Sequence, residues 1–494
     1  MEELVRWATS HGAALHPSVE VYDDPNTGKS FRASPAGPGV SPGETVVTCP
    51  MGLTLSYLNA ITTPSPGFHH DNDNNDNNTD NANADADADA DDTTGSSSPF
   101  PATFLASVPP HVIGRFFLIH QYLLGKSSFW YPYIRTLPQP EHLQSWILPP
   151  LWPSDDVELL EDTNVHVAIA ETKARLKAEF KHAIAVLGDD SAASRRGYTR
   201  LLYHWAYCIF ASRSFRPSLV IPAARKATLA LPAGCAVDDF SLLMPLLDVG
   251  NHAPTAAVAW DTDADGGDAP NACALRTLDP HAPGSQVFNN YGTSKTNAEL
   301  MLAYGFCVPE SPGLHNDYVH VQKRGAAAAG GADAKAMDYL ISLRPVADPS
   351  SVAARAVRML PDVDGSRVLP PFRHVQDTMV WDLVLAQTTA DQREALLPVA
   401  EDAAGAGAGA DLERLRKVLT GDIPAAFRPV LFQTVAIIQD KVLQELERLD
   451  QSEFEMEEEA GATQNQLMAY RYRRQCRRVL ENVLESMVMP EESS

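Results

Sequence analysis

The chain is 494 residues long, 44% hydrophobic and 21% charged, which is enough for two or three domains and excludes a wholly disordered or fibrous protein. Its formal net charge is −24, and it stays acidic even without the nine aspartates that fall between Asp71 and Asp92. Such a field excludes a general binder of the phosphate backbone and suits a basic partner or substrate.

A short helical pattern opens the chain, and the stretch from Met1 to Trp7 has neither the basic nor the apolar region of a secretory signal. Ser41-Pro42-Gly43-Glu44 reads as a turn, and residues 45–49 as a β-branched strand closed by Pro50. Residues 69–98 hold Asp-Asn repeats, Ala-Asp alternation and a Gly-Ser tract. Such a segment buries too little apolar surface to offset the entropy of ordering, so a disordered insertion is expected. Metal capture by His69, His70 and these aspartates has nothing to fix its geometry, and no metal site is expected. From residue 110 to about 216 the pattern is mostly helical: 114–124 is apolar on one face, 155–187 is long and charged, and 197–215 is aromatic. Residues 240–308 return to short strands at Val258 with Trp260, at 273–277 and at 286–289. Their Pro- and Gly-rich joints argue against a doubly wound parallel sheet. Residues 325–335 and 403–410 are rich in Ala and Gly and read as flexible. Residues 350–487 read as helices joined by short loops. In the last of these, 465–487, the arginines 471, 473, 474, 477 and 478 form a solvated face or pair internally with acidic neighbours.

The most apolar stretches, 116–124 and 201–211, are interrupted by His120 and His204 and are too short to span a bilayer. Cys49, Cys208, Cys235, Cys273, Cys307 and Cys476 are scattered without zinc-module spacing, which fits a reducing compartment. Gly28-Lys29-Ser30 looks like the end of a phosphate-binding loop, but Asp23 stands where that loop needs a glycine. Gly39-Val40-Ser41-Pro42-Gly43 matches a nucleophile elbow on paper, yet Pro42 lacks the N–H that an oxyanion hole requires. Ser41 is not a nucleophile.

One pair of segments is more informative. Met244-Pro245-Leu246-Leu247-Asp248-Val249-Gly250-Asn251-His252 is an apolar run that delivers Asp248, Asn251 and His252 into a loop. Further on come Val287-Phe288-Asn289-Asn290-Tyr291-Gly292 and a helix ending in Ala303-Tyr304-Gly305-Phe306. On pattern alone the Asn-His pair caps a turn, and both tyrosines fill a core with bonded hydroxyls. At these residues the chain resembles the SET-domain protein methyltransferases. Within them it is similar to the Rubisco large-subunit lysine methyltransferase branch, as a fungal-type member. The likeness extends over most of the chain: Gly28 to Ala33 with Gly43-Glu44-Thr45-Val46, then Gly125 to Tyr133 with Leu137-Pro138, then Trp205-Ala206 and Ser212-Arg213-Ser214-Phe215.

The resemblance implies an α+β fold. Short β-sheets with a knot-like C-terminal threading form the SET domain, which carries a helical insert and is followed by an all-helical substrate-binding domain. The expected boundaries are 1–60 and 237–310 for the two parts of the SET domain, 61–109 for the acidic insertion and linker, 110–236 for the helical insert and 311–494 for the C-terminal domain. The resemblance also implies S-adenosyl-L-methionine as cofactor. The backbone of Thr27, Gly28 and Lys29 would line its pocket, Arg213 would hold its carboxylate, and Asn251 and His252 would bond it, with Asp248 close by. Tyr291 and Tyr304 would be catalytic, Tyr291 also bordering the cofactor and Tyr304 standing at the methyl-transfer channel, with Phe306 on the adenine side. Ser30 stands where the family has a second glycine in this opening segment. The implied activity is methylation of a lysine on a non-histone protein, with ribosomal and other basic proteins as candidate targets. The alternatives are methylation of histidine, or a catalytically silent fold used as a binding module. A monomer in the cytoplasm or nucleus is expected, with no nucleic-acid or membrane partner.

Overall fold

The computed structural model describes residues 1–25, 27–62, 98–188, 197–262, 271–309, 316–322, 338–356, 358–360, 363–399, 408–452, 454 and 461–487. The expected acidic insertion, apart from Ser98, and the Ala/Gly-rich stretch 325–335 lie outside them. Of 403–410, the described end begins a helix, Ala408–Thr420, instead of a flexible link. The chain divides into two units: residues 1–147 with 174–291, and residues 148–173 with 292–494.

The first unit is built on short strands: β1 (Ala14–Leu15), β2 (Val19–Asp24), β3 (Gly28–Ala33), β4 (Thr45–Pro50), β5 (Leu55–Ser56), β6 (Ser214–Phe215), β7 (Leu242–Leu243), β8 (Val258–Asp261), β9 (Ala272–Thr277) and β10 (Gln286–Val287). They form three small sheets, ordered β1-β4-β9-β8, β10-β3-β2 and β5-β7-β6. All pairings within these sheets are antiparallel. A register shift between Thr45 and Val47 breaks the alternation of β4, so Val46 and Val47 are both buried.

Against these sheets lies the helical insert. The Pro110–Leu124 helix starts with proline at its first turn, where a missing N–H costs nothing, and buries Val112, Ile113, Phe116, Phe117 and Ile119. It packs on the Arg200–Arg213 helix, which Thr199 caps by accepting from the Leu202 N–H. A Cβ at Gly114 would stand 3.4 Å from the Tyr57 nitrogen, so the small residue lets this helix approach the Tyr57–Ile61 helix closely. A buried ion-pair network ties the insert together. Glu179 accepts from Arg115 (2.7 Å), His111 (3.0 Å) and the Tyr203 hydroxyl (2.7 Å).

Among its described residues, the second unit is mainly helical and carries one antiparallel ladder, β11 (Tyr318–Gln322) with β12 (Asp338–Ser342). An all-helical domain was expected here. The addition follows from alternation in Tyr318-Val319-His320-Val321, which turns Val319 and Val321 inward. The charged stretch 155–187 is not one helix but two, Ser154–Glu158 and Asn164–Leu187, broken where Asp162 adopts φ +62°. In the Gln464–Ser486 helix, Arg473 is buried and donates to the carbonyls of Glu161 (2.6 Å) and Leu449 (2.6 Å), while Arg477 pairs with Asp450. These arginines are internal partners. Among the described residues, no helix is long and apolar enough to cross a membrane.

Candidate functional site

The hairpin between β2 and β3 forms one wall of the site. Asp24 closes its turn by accepting from the Thr27 N–H (3.0 Å), and Gly28 follows with φ +77°. Nothing stands within 4 Å of a Cβ built at Gly28, so the glycine is required by backbone conformation and not by crowding. Lys29 pairs with Asp23 at the surface (2.6 Å). Ser30 is fully buried, and its hydroxyl accepts from Gln286 Nε2 (2.7 Å). Its side chain is committed to the sheet and does not line the neighbouring cleft.

That cleft has a volume of about 660 Å³ and is bordered by Thr27, Gly28, Lys29, Leu137 and Arg213, among others. Pockets of this size hold small organic ligands. Arg213 ends its helix and donates to the main-chain carbonyl of Asp248 (3.3 Å). Asp248 sits in a single 3-10 turn, Leu247–Val249, directly after Leu246 at φ +72°. One oxygen of the buried Asp248 carboxylate accepts from the Tyr133 hydroxyl (2.6 Å), and the other has no hydrogen-bond partner among the described residues. Burial raises the Asp248 carboxyl to about 6, against the opposing pull of Arg213 and Tyr133.

From this turn the chain passes through Gly250 into Asn251 and His252. Asn251 Nδ2 donates to Thr27 Oγ1 (2.8 Å), which fastens the loop to the hairpin. His252 and Asn289 form a parallel bridge: the Asn289 N–H donates to the Asn251 carbonyl (2.7 Å), and the Ala253 N–H to that of Asn289 (3.0 Å). The Asn289 side-chain oxygen accepts from Trp260 Nε1 (2.9 Å) and from the Asn290 N–H (2.7 Å). Tyr291 then lies on His252, with ring centroids 5.0 Å apart and planes 18° apart. Its N–H donates to His252 Nδ1 (3.1 Å), which assigns the ring proton to Nε2. Its hydroxyl donates to the Gly250 carbonyl (2.9 Å).

Thr27, Gly28, Lys29, Arg213, Asp248, Asn251, His252 and Tyr291 all belong to the first unit, and these contacts link them in sequence around one turn and one bridge. Tyr304 and Phe306 belong to the second unit, at the end of the Asn297–Tyr304 helix, with ring centroids 6.3 Å apart. Burial, with Glu299 nearby, pushes the Tyr304 hydroxyl up to about 12. Sequence reasoning gave no role to Tyr133, Trp260 or Asn289. For the first, the signal was a tyrosine beside the proline of Tyr131-Pro132-Tyr133, in a segment that carries the family resemblance.

No family model matches the chain. The ribosomal lysine N-methyltransferase set10 of Schizosaccharomyces pombe is 26% identical over 339 residues, which is 66% of this chain and 50% of that protein. The protein-lysine N-methyltransferase EFM1 of Saccharomyces cerevisiae is 24% identical over 212 residues, covering 36% of this chain and 33% of that one. The chain thus spans half or less of the length of these relatives. Among solved structures, the SET domain of LSMT bound to lysine and AdoHcy superposes with a TM-score of 0.59 at 13% identity, over 98% of this chain and 90% of that one. The architecture is therefore that of a SET domain. Its resemblance is to the LSMT branch of SET-domain lysine methyltransferases.

Proposed function

We propose that the chain is an S-adenosylmethionine-dependent methyltransferase that acts on a lysine of a non-histone protein. The observation that carries this reading is the parallel His252–Asn289 bridge, which seats Tyr291 beside Asn251 and His252 on a loop fastened to the Thr27–Gly28 wall of the cleft. The cofactor fits the residues present. The cleft offers a planar Arg213 fork for a carboxylate, and the second oxygen of the buried Asp248 carboxylate beside it has no hydrogen-bond partner among the described residues.

Arg213, the backbone at Thr27, Gly28 and Lys29, and the Asn251-His252 pair would hold the cofactor. When bound, it supplies a methyl group made electrophilic by a sulfonium. The chain's own contribution is alignment, since an in-line displacement needs positioned atoms more than covalent help. The Tyr291 proton is committed to the Gly250 carbonyl. Its oxygen therefore faces an incoming amine as an acceptor, which orients the nitrogen lone pair. Lysine has an ordinary pKa of about 10.4 and must lose a proton before it attacks. Desolvation and a nearby positive charge both favour the neutral amine, and the proton leaves to solvent. The acidic surface favours a basic target, of which ribosomal proteins are one class.

Calorimetry with S-adenosylmethionine tests the cofactor, and absence of heat would leave only a binding module. Labelled-methyl transfer into lysate from a strain lacking the protein, followed by mapping of the labelled residue, tests the substrate. Label on lysine is expected; label on histidine would replace the lysine assignment.

A further inference from the structure

The Tyr133–Asp248 hydrogen bond joins residues 115 positions apart in sequence and is buried at both ends. Tyr133 stands on a single helical turn, Tyr131–Ile134, that follows the buried Trp130. Phenylalanine would fill the same space, so the hydroxyl answers to Asp248 and not to packing alone. Asp248 in turn accepts Arg213 through its main-chain carbonyl, and Arg213 lines the cleft.

We propose that Tyr133 is a positioning residue: its hydroxyl clamps one oxygen of the buried Asp248 carboxylate and so holds that negative charge beside Arg213. The inference rests on the functional reading above and deepens it, because Tyr133 touches neither ligand nor reacting atoms and acts through Asp248. Among the described residues, three side chains face the carboxylate. Arg213 and the Tyr133 hydroxyl favour its ionised form. Cys49 lies near enough for its charged form to oppose that of Asp248, but burial raises its thiol well above the ordinary range and keeps it neutral. Burial already holds Asp248 at about 6, so losing the tyrosine hydroxyl moves it further up, into the neutral range. S-adenosylmethionine carries two positive charges and one negative. An ionised Asp248 attracts it, and a protonated one does not.

The test uses the full chain and Tyr133→Phe. In the ligand-free protein, the Asp248 carboxyl carbon is titrated by NMR. The midpoint should rise by about one to two pH units, the scale of one hydrogen bond to a charged group. Calorimetry should then show S-adenosylmethionine binding about two- to tenfold weaker at pH 7, with the deficit closing by pH 9, where both proteins are ionised. A merely structural tyrosine would weaken binding equally at every pH. In an Asp248→Asn background, Tyr133→Phe should have no further effect on affinity. An unmoved midpoint, a pH-independent deficit, or an effect that persists without the carboxylate each overturns the inference. Failure of the wild-type chain to bind S-adenosylmethionine at any pH overturns the functional reading and this inference together. Wild-type binding that is unaffected by Tyr133→Phe overturns this inference alone.

Discussion

Tyr291→Phe separates the proposed catalytic role of the hydroxyl from the architectural role of the ring. The ring rests on His252, and phenylalanine keeps that contact. The hydroxyl donates to the Gly250 carbonyl, and Gly250 is buried, so the substitution strands one acceptor. The expected stability cost is about 1 kcal/mol, rising toward about 2 if the carbonyl finds no water. The main-chain bond from Tyr291 to His252 Nδ1 and the Asn251–Thr27 bond are untouched, so affinity for S-adenosylmethionine should change little. On the proposed role of the Tyr291 oxygen as acceptor for the amine, turnover should fall by about a hundredfold or more, or about 2.7 kcal/mol in the barrier. Denaturant melts, calorimetry and single-turnover methyl transfer on the identified substrate measure the three quantities separately. Undiminished transfer by Tyr291→Phe would show that the hydroxyl serves only the loop.

Two further predictions concern charge. Burial alone would raise Glu179, but hydrogen bonding from His111, the Arg115 guanidinium and the Tyr203 hydroxyl outweigh it and hold it at about 2, below its ordinary 4.5. Its contribution to stability is therefore complete above pH 4.5 and is lost as pH falls from there toward 2; Glu179→Ala, which leaves Arg115 buried without its partner, should cost about 3 kcal/mol at neutral pH and flatten the acid limb of the melting profile. Asp248 has the opposite sign: raised from 3.8 to about 6, it penalises folding increasingly as pH rises through that interval. Asp248→Asn should thus stabilise the fold by about 2 kcal/mol at pH 7.5 and by nothing below about pH 4, while weakening the site; an Asn variant less stable at pH 7.5 than at pH 4, relative to wild type, would refute the burial argument.

Local chemistry was legible in the sequence, and long-range pairing was not. The Asn251-His252 loop, the Asn289-Asn290-Tyr291 segment and the β-branched strand at Thr45 announce themselves through turn residues and alternation. The parallel bridge of His252 with Asn289 leaves no periodic trace, since a single bridge has no register to read. The likeness to a known family, and not pattern, pointed there. The break at Asp162 is hidden inside a charged run, because aspartate enters positive φ at little cost and looks like any surface acid. Arg473 takes the internal one of the two roles a basic helix allows, but its donors go to the main-chain carbonyls of Glu161 and Leu449 and not to acidic side chains, which no charge pattern shows. Tyr133 and Asp248 are the clearest case. Asp248 stands out in its loop but Tyr133 does not, and only the fold shows that one satisfies the other.

The backbone at Leu246 explains why Asp248 arrives where it does, and it offers a test that needs no ligand. Leucine at φ +72° is strained by roughly 1–3 kcal/mol, and such a conformation persists only where its surroundings over-determine it. Here they do: β7 is hydrogen-bonded on both sides, by β5 and β6, and Leu246 and Leu247 are fully buried. The kink reverses the chain after Pro245 and starts the short turn that carries Asp248. At an ordinary buried position, replacing leucine by alanine costs about 2–5 kcal/mol, and replacing it by glycine about 1 kcal/mol more, because glycine loses more entropy on folding. At this position the order should invert. Alanine loses the same burial but keeps the steric penalty of a Cβ at positive φ, whereas glycine relieves it. Leu246→Gly should therefore be as stable as Leu246→Ala or more so, by up to about 1 kcal/mol, in denaturant melts of the full chain. If alanine is the more stable of the two by the usual margin, the kink is not strained, and the Leu247–Val249 turn is held by packing alone.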